Sequence, residues 1–197
     1  LKSLPGREVI CGYAEILKHS LIINRKFFFY LDKNAKNILN LKSPFLEKAI
    51  FKSCLIKKKI VEIDEKEKNL RKILNFGHTF GHAYEATLKY SKKLNHGEAV
   101  ILGIISSAKF SLDNNILNKK DYKKIIDHIS QLNMSKSLNF YFKKKDINSI
   151  IKYMKADKKN NSSKINLILI KKIRKVILDL KFDQLKIRKF FFRELIN

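Results

Sequence analysis

Tryptophan is absent from the sequence, and cysteine, proline and glycine are scarce, with two, two and six copies among 197 residues. Cys11 and Cys54 are too few for a disulfide framework, and the sequence contains no CxxC pair. Both cysteines lie in apolar stretches with helical spacing. We therefore expect two buried free thiols.

Long hydrophobic runs are also missing. No segment approaches the roughly 20 apolar residues of a membrane helix, and no signal peptide opens the chain. We therefore expect a soluble protein without a membrane partner, in a reducing compartment: the cytoplasm or, in a eukaryotic source, the plastid stroma. The sequence begins without Met, at "LKSLPGREV", and we interpret it as a fragment or as one domain of a longer protein.

Acidic residues are few, since 18 Asp and Glu stand against 43 Lys and Arg and leave a formal net charge of +25. Such a charge raises the question of nucleic acid. However, the excess is mostly lysine spread along the whole chain, accompanied by abundant Asn and Ile, which indicates compositional drift at solvated helix positions. We therefore expect no specific nucleic-acid partner, although the positive field would attract anionic substrates.

Apolar residues are plentiful at 45% of the chain, with 14 phenylalanines, so a substantial core can form. Their spacing is helical over most of the sequence. It predicts helices at "REVICGYAEILKHSLI" after Pro5, at "FLEKAIFKSCLIKKKIVEID" with Ser43 as N-cap and Pro44 as first residue, across 73–85, and at "GEAVILGIISSAKFSL", "KKDYKKIIDHISQL", "DINSIIKYMKA" and "DQLKIRKFFFRELIN". A short segment is expected around "KFFFYL". Only "KINLILI" and "RKVILDL" resemble strands, joined as a hairpin. The expected fold class is mainly α with one late β-hairpin.

Two glycines interrupt the apolar pattern in "ILNFGHTFGHAYE", residues 73–85. A glycine inside a helix costs about 1 kcal/mol relative to alanine. Gly77 and Gly81 lie four residues apart and therefore share a helix face. A face of this kind lets another helix, or a ligand, approach the backbone closely.

Each of these glycines is followed by a histidine, and the pair indicates a metal site. His78 and His82 share a helix face, as two ligands of one ion would, or as two histidines hydrogen-bonded at a helix contact would. His96 opens the next helix, and Glu15 lies inside an apolar helix. Two imidazoles and one carboxylate form a common catalytic zinc set that leaves positions open for substrate.

Three segments together resemble the C-terminal domain of the 3-dehydroquinate synthases: "GYAEILKHSLI", "DEKEKNLRKILNFGHTFGHAYE" and "HGEAVILGI". The opening "LKSLPGRE" and the later "MKADKKN…KINLILI" match in the same order. Related sugar-phosphate cyclases and the iron-dependent alcohol and glycerol dehydrogenases share the architecture, but "LRxxLNFGHTFGHAxE" is most similar to the dehydroquinate synthases. The resemblance implies a lyase of aromatic biosynthesis, in the shikimate pathway. Such a lyase converts 3-deoxy-D-arabino-heptulosonate 7-phosphate into 3-dehydroquinate and phosphate, with NAD and a divalent zinc or cobalt ion.

The resemblance also implies individual roles. It assigns the metal to Glu15, His78 and His96, substrate or catalytic contacts to Lys18, Lys57 (alternatively Lys58), Arg71, Asn75, His82 and Lys158 (alternatively Lys159), and nucleotide contacts to Leu1, Lys2 and Ser3. Under this interpretation the glycine face carries no bulky side chains because it must admit both metal and sugar. Physically, the cations suit a substrate that carries a phosphate and a carboxylate.

The dinucleotide-binding half of that enzyme is not recognisable, because no glycine-rich strand–turn–helix motif occurs. The resemblance implies that residues 1–197 are the C-terminal helical metal- and substrate-binding domain, that an N-terminal NAD-binding α/β domain is its partner, and that the complete enzyme is a homodimer. We expect the chain alone to be a poor or inactive catalyst. The alternatives are a related cyclase, or a catalytically dead basic binding protein.

The sequence departs from the family pattern at three places. Lys18-His19-Ser20 stands where Lys-Tyr-Gly is usual, no glycine occurs around Ile173 and Arg174, and Ser3 replaces a threonine. These differences leave the implied metal ligands intact.

Overall fold

The computed structural model describes residues 1, 3–134, 136–156 and 164–195. Within these ranges the helices are α1 (Gly6–Ile23), α2 (Arg25–Leu39), α3 (Phe45–Ile63), α4 (His78–Thr87), α5 (His96–Asp113), α6 (Lys119–Ser130), α7 (Leu138–Tyr141), α8 (Ile147–Ala156) and α9 (Gln184–Glu194), with 3-10 helices at Leu70–Asn75 and Lys144–Asp146. Strands β1 (Lys164–Lys172) and β2 (Lys175–Asp183) form one antiparallel sheet. The prediction of a mainly α fold with a late hairpin is confirmed. No described helix combines the length and the apolar character that a membrane crossing requires.

Helix α5 lies at the centre of the fold. Twelve of its 18 residues are buried, and it contacts α1, α4, α6 and β1. One hydrophobic cluster lies mainly among α1, α2, α3, α5 and α6, and a second joins α4, α5, α8, α9 and the hairpin. A helix that is apolar on all sides must be covered on all sides, which explains this position.

The first helices differ in detail from the prediction. Pro5 is the N-cap residue of α1. Pro44 is the N-cap residue of α3 rather than its first helical residue, and Ser43 lies outside α3. The segment around "KFFFYL" belongs to the full 15-residue helix α2. Asn24 caps this helix, because its side chain accepts a hydrogen bond of 2.9 Å from the Phe27 N–H. The later "DKNAKN" lowers intrinsic helix propensity, so burial of one apolar face stabilises α2.

The stretch 73–85 is not one helix. The 3-10 helix ends at Asn75, and α4 begins at His78. Between them Gly77 has a φ of +81°, in the left-handed region that favours glycine. The helix-propensity cost assumed for Gly77 is therefore wrong, because this glycine makes the turn that starts α4.

The glycines face α5 rather than a ligand. A Cβ on Gly81 would lie 2.9 Å from the Ala99 carbonyl oxygen, and one on Gly103 would overlap the Gly77 carbonyl oxygen. Helices α4 and α5 can touch along their backbones only because both carry glycine there. The interpretation that this face admits metal and sugar is wrong; it admits another helix.

Both cysteines are free, but only one is partly buried. The Cys11 sulfur accepts a hydrogen bond of 3.0 Å from the Gly97 N–H, at the contact of α1 with α5. Cys54 is exposed, so its predicted burial is wrong. Helix α3 buries Ala49, Ser53 and Ile60, and Cys54 is turned away from that face.

Candidate metal centre and anion-binding loop

The three residues implied as metal ligands converge in the structure. Glu15 lies in the middle of α1, while His78 and His96 are the first residues of α4 and α5. Their ligand atoms lie within 4.8 Å of one another. His82 follows one turn after His78, with its ring centroid 5.1 Å from that of His78. A second set, His82, Glu85 and His96, satisfies the same distance limit among the described residues.

The hydrogen bonds of His78 leave one nitrogen for a metal. Its Nδ1 lies 3.2 Å from the Phe76 carbonyl oxygen, and since a carbonyl can only accept, Nδ1 carries the proton. The lone pair of Nε2 then faces the site, 3.6 Å from Glu15 Oε1. This carboxylate oxygen is buried and receives no hydrogen bond from any described residue. Two electron-pair donors that face each other in this way fit a shared cation.

The charges around His78 favour its neutral form. Burial, and then the positive charge of Lys18, lower the pKa of His78 to about 4. The neutral imidazole is the form that binds metal. The residues present therefore fit a divalent ion without a proton having to leave His78 at neutral pH.

His96 is oriented by a carboxylate. Its Nδ1 lies 3.2 Å from both oxygens of Glu85, so Nδ1–H donates and Nε2 remains available to the site. The hydrogen bond that His96 donates to Glu85 raises the pKa of His96. A carboxylate behind a ligating imidazole is the usual support of a metal-bound histidine. This arrangement makes Glu85 a partner of His96 and favours the set Glu15, His78 and His96.

The start of α5 is also held firmly. Asn95 and Glu98 form a capping box around it. The Arg7 guanidinium donates hydrogen bonds of 2.8 and 2.6 Å to the Glu98 carboxylate. It also donates to two backbone carbonyls just before the helix. His96 therefore sits on a rigid helix terminus that is tied to α1.

A buried ammonium lies beside the candidate metal centre. Lys18 is only 3% exposed, and its Nζ lies 2.7 Å from Glu15 Oε2. Burial acts to raise the pKa of the Glu15 carboxyl, but the charge of Lys18 and its hydrogen bond outweigh burial and lower this pKa. Burial lowers the pKa of Lys18, and Glu15 opposes the shift. The pair thus places a positive charge next to the site.

The structure distinguishes the two candidate lysines of α3. The charge of Lys57 contributes to lowering the pKa of Lys18, after the larger effect of burial. Lys58 instead lies 3.6 Å from Glu62 on the exposed surface. Lys57 is therefore the better candidate for an anion-binding residue. His19, which follows Lys18, is hydrogen-bonded to Ser53 at 2.7 Å and so joins α1 to α3.

Arg71 and Asn75 belong to the 3-10 helix that precedes α4. The Asn75 side-chain amide donates to Glu67 Oε1 at 2.6 Å. Arg71 Nη1 donates to the Glu65 carbonyl at 2.5 Å, and its Nε lies 3.9 Å from Glu67 Oε2. Both side chains are therefore oriented by the turn 64–69, and we call 64–75, which carries these two predicted substrate residues, the candidate anion-binding loop.

The remaining predicted residues lie outside this site or outside the described ranges. Leu1 and Ser3 are exposed ahead of α1. Lys2, Lys158 and the alternative Lys159 fall outside the described residues. Sequence reasoning missed the supporting groups, Arg7, Glu67, Glu85 and Glu98. The spacing of Glu85, seven residues after His78 and on the same helix face, could have indicated one of them.

Solved structures share this architecture. The 2-epi-5-epi-valiolone synthase of Streptomyces hygroscopicus subsp. jinggangensis 5008, with NAD+ and Zn2+ bound, superposes with a TM-score of 0.84 at 18% identity, covering 98% of this chain and 52% of that one. A 2-deoxy-scyllo-inosose synthase, complexed with carbaglucose-6-phosphate, NAD+ and Co2+, gives 0.77 at 25% identity, covering 96% and 53%. The fold is thus that of the dehydroquinate synthase-like enzymes.

Sequence comparison is more specific. The family described as 3-dehydroquinate synthase C-terminal matches residues 12–160, and the chain belongs to this family. The 3-dehydroquinate synthase of Pelagibacter ubique (strain HTCC1062) is 58% identical, covering 99% of this chain and 53% of the relative. The enzyme of Thermoanaerobacter sp. (strain X514) is 43% identical, covering 86% and 46%. The chain therefore spans about half the length of the curated relatives it matches.

Proposed function

We propose that this chain is the metal- and substrate-binding half of a 3-dehydroquinate synthase, the lyase that converts 3-deoxy-D-arabino-heptulosonate 7-phosphate into 3-dehydroquinate and phosphate. The observation that carries the proposal is the convergence of Glu15, His78 and His96 beside the buried Lys18. The names of the two sequence relatives favour this reaction over those of other sugar-phosphate cyclases.

Zinc or cobalt fits the donor set, because one carboxylate oxygen and two imidazole nitrogens suit either ion. Glu15 Oε1, His78 Nε2 and His96 Nε2 would hold it. The bound ion would polarise alcohol and carbonyl oxygens of the substrate as a Lewis acid, while NAD would accept a hydride and return it.

The protein's own cations would bind the two anionic groups of the substrate. Arg71 offers a planar fork, and Lys18, Lys57 and Lys158 offer point charges. Asn75 and His82 would add hydrogen bonds. His82, one turn beyond His78, would move a proton at the substrate. These groups would hold the departing phosphate close to the ring from which it leaves.

The complete enzyme would contain more than this chain. A separate α/β half would make most of the contacts to NAD, and Leu1, Lys2 and Ser3 would add a few contacts to the nucleotide. We propose a homodimeric assembly located in the cytoplasm, or in the plastid stroma of a eukaryotic source. The isolated chain would bind metal and part of the sugar phosphate, and it would turn over poorly because the hydride carrier has no binding domain.

The proposal is tested by supplying the missing half. The chain is combined with the N-terminal half of a complete homologue, and phosphate release from the keto-acid phosphate is measured with catalytic NAD. We expect turnover without net NADH. In the same assembly Arg71→Ala should impair KM or kcat while metal stays bound. Normal turnover with His78→Ala, or by the 197-residue chain alone, would contradict the proposal.

A further inference from the structure

The end of α3 carries a carboxylate that accepts hydrogen bonds from three backbone amides. Asp64 is the C-cap residue of this helix. Its Oδ1 accepts a hydrogen bond of 3.0 Å from the Lys68 N–H, and its Oδ2 accepts bonds of 2.8 and 2.9 Å from the N–H groups of Asn69 and Arg71. One half-buried side chain thus closes the turn between α3 and the 3-10 helix.

This carboxylate replaces a missing helix cap. The first N–H groups of a helix lack partners within the helix. Asn69, the N-cap residue of the 3-10 helix, makes no capping bond with its side chain. Asp64 supplies the acceptor from five residues earlier in the sequence. Backbone hydrogen bonds, above all from Arg71, lower the pKa of Asp64, so the carboxylate is charged at neutral pH.

The turn that Asp64 closes is conformationally unfavourable by itself. Glu67 adopts a φ of +54°, a region that residues other than glycine rarely occupy. Such a conformation persists when the surroundings hold it in place. Asp64 is the described residue that ties both sides of Glu67 together, because its carboxylate binds the amides that follow Glu67 and its own carbonyl accepts the Glu67 N–H at 3.2 Å.

The orientation of the two proposed substrate groups depends on this turn. Arg71 is bound to Asp64 through its backbone and to the Glu65 carbonyl through its guanidinium. Asn75 is bound to Glu67. If the turn opened, both side chains would lose the neighbours that aim them. The metal ligands are held elsewhere, on α1, α4 and α5.

We infer that Asp64 is a positioning residue for the candidate anion-binding loop: it fixes Arg71 and Asn75 for a phosphate- or carboxylate-bearing ligand without touching that ligand. The inference rests on the proposed function, since it gives Arg71 the role of anion binding. It also predicts that a change at Asp64 disturbs the loop without changing metal binding, because the Asp64 carboxylate accepts hydrogen bonds from residues 68, 69 and 71 and not from the three candidate ligands.

The test compares Asp64→Ala and Asp64→Asn with the unmodified chain. The control is Asp146→Ala, which removes a similar half-buried carboxylate that accepts the Lys143 N–H at 2.8 Å in a remote 3-10 turn. Amide hydrogen exchange at residues 68, 69 and 71, inorganic phosphate affinity by NMR titration at fixed salt, and zinc content are measured for each protein.

We expect Asp64→Ala to raise exchange at these three amides by about tenfold and to weaken phosphate binding by roughly threefold to tenfold through lost preorganisation. Asp64→Asn, which keeps one acceptor oxygen, should fall between the unmodified chain and Asp64→Ala. Zinc content should not change, and Asp146→Ala should match the unmodified chain.

Two outcomes would overturn the inference: unchanged phosphate affinity in Asp64→Ala, or loss of zinc in parallel with phosphate, which would indicate damage to the whole domain. The proposed function fails in a different way. It is contradicted if Arg71→Ala binds phosphate as well as the unmodified chain does, whereas the inference is contradicted if Arg71→Ala weakens binding and Asp64→Ala does not.

Discussion

Two histidine–carboxylate clusters occur in the described chain, and they differ in how their donors and acceptors are used. In the core, His128 is fully buried. Its Nδ1 donates to Asp32 at 2.9 Å, and its Nε2 accepts from the Tyr13 hydroxyl at 3.0 Å. Every polar atom of that imidazole has a partner. This cluster joins helices α1, α2 and α6, and its imidazole has no nitrogen left for a ligand.

The candidate metal centre has the opposite character. His78 uses one ring nitrogen on a carbonyl and presents the other to Glu15, whose buried Oε1 receives no hydrogen bond from the described residues. Both clusters pair imidazole with carboxylate, so residue type alone does not separate them. The difference lies in the unused electron pairs, which core packing avoids and a metal site requires.

The largest expected effect is on metal binding. His78→Ala removes a ligand, and we expect metal affinity to fall by at least about 100-fold, since two remaining donors bind a divalent ion weakly. Metal analysis and competition with a chelator measure this. The matched control is His82→Ala, which should keep the metal. Loss of metal from His82→Ala and not from His78→Ala would show that the alternative set with Glu85 is the real one.

The core cluster should respond in stability instead. His128→Ala creates a cavity in the interior and leaves the buried Tyr13 hydroxyl without its hydrogen-bond partner. We therefore expect a loss of about 3 kcal/mol in the free energy of unfolding. Denaturant titration of the metal-free chain measures it. Metal affinity should remain unchanged under native conditions. If His128→Ala were as stable as the unmodified chain, the core cluster would not have the structural role given to it.

The sequence was sufficient for the parts of this comparison that depend on local pattern. The apolar composition of helix α5 is enough to predict it, and the branched residues of the hairpin are enough to predict its two strands. The three candidate metal ligands follow from spacing and resemblance together. The partners of those ligands did not follow. Glu85 and His96 are in contact because α4 and α5 pack closely. The local sequence pattern gives the helix face of Glu85 but not its distance from His96.

Backbone conformation was the second limit. Gly77 fits a helical period in the sequence, yet its φ of +81° breaks the helix there. The family pattern has a glycine around Ile173 and Arg174, and here Arg174 adopts a φ of +89° in the turn between β1 and β2. The N–H of Arg174 donates to the Leu21 carbonyl at 2.8 Å. A tertiary bond thus holds a conformation that glycine would adopt more easily.

Metal affinity should fall less when the residue that orients a candidate ligand is changed than when the candidate ligand itself is changed. Glu85→Gln keeps the size of the side chain but removes the charge behind His96. We expect metal affinity to fall by about 10- to 100-fold, the usual result for such partners. Competition with a chelator measures the metal affinity of Glu85→Gln and of His78→Ala side by side. A loss as large as that of His78→Ala would mean that Glu85 is itself a ligand.

The smallest expected effect concerns pH, and it separates the two clusters in the metal-free chain. Burial lowers the pKa of His128, while the hydrogen bond that His128 donates to Asp32 opposes the shift. The unfolded chain, with a histidine pKa near 6.5, therefore binds a proton before the folded protein does. The stability contributed by neutral His128 is complete above about pH 6.5 and is lost as pH falls from there towards the lower folded pKa.

Comparison with His128→Gln isolates this contribution, because the other histidines titrate equally in both proteins. The stability difference between the unmodified chain and His128→Gln should be constant from about pH 7 upward and should shrink below about pH 6.5, by up to about 1.4 kcal/mol for each unit of pKa shift. Urea titrations at half-unit pH steps measure it. The groups that face His128 are Tyr13 from α1 and Asp32 from α2. A difference that grows as pH falls would mean that Asp32 stabilises the imidazolium more than burial disfavours it, and the core cluster would then be an ion pair rather than a neutral hydrogen-bonded one.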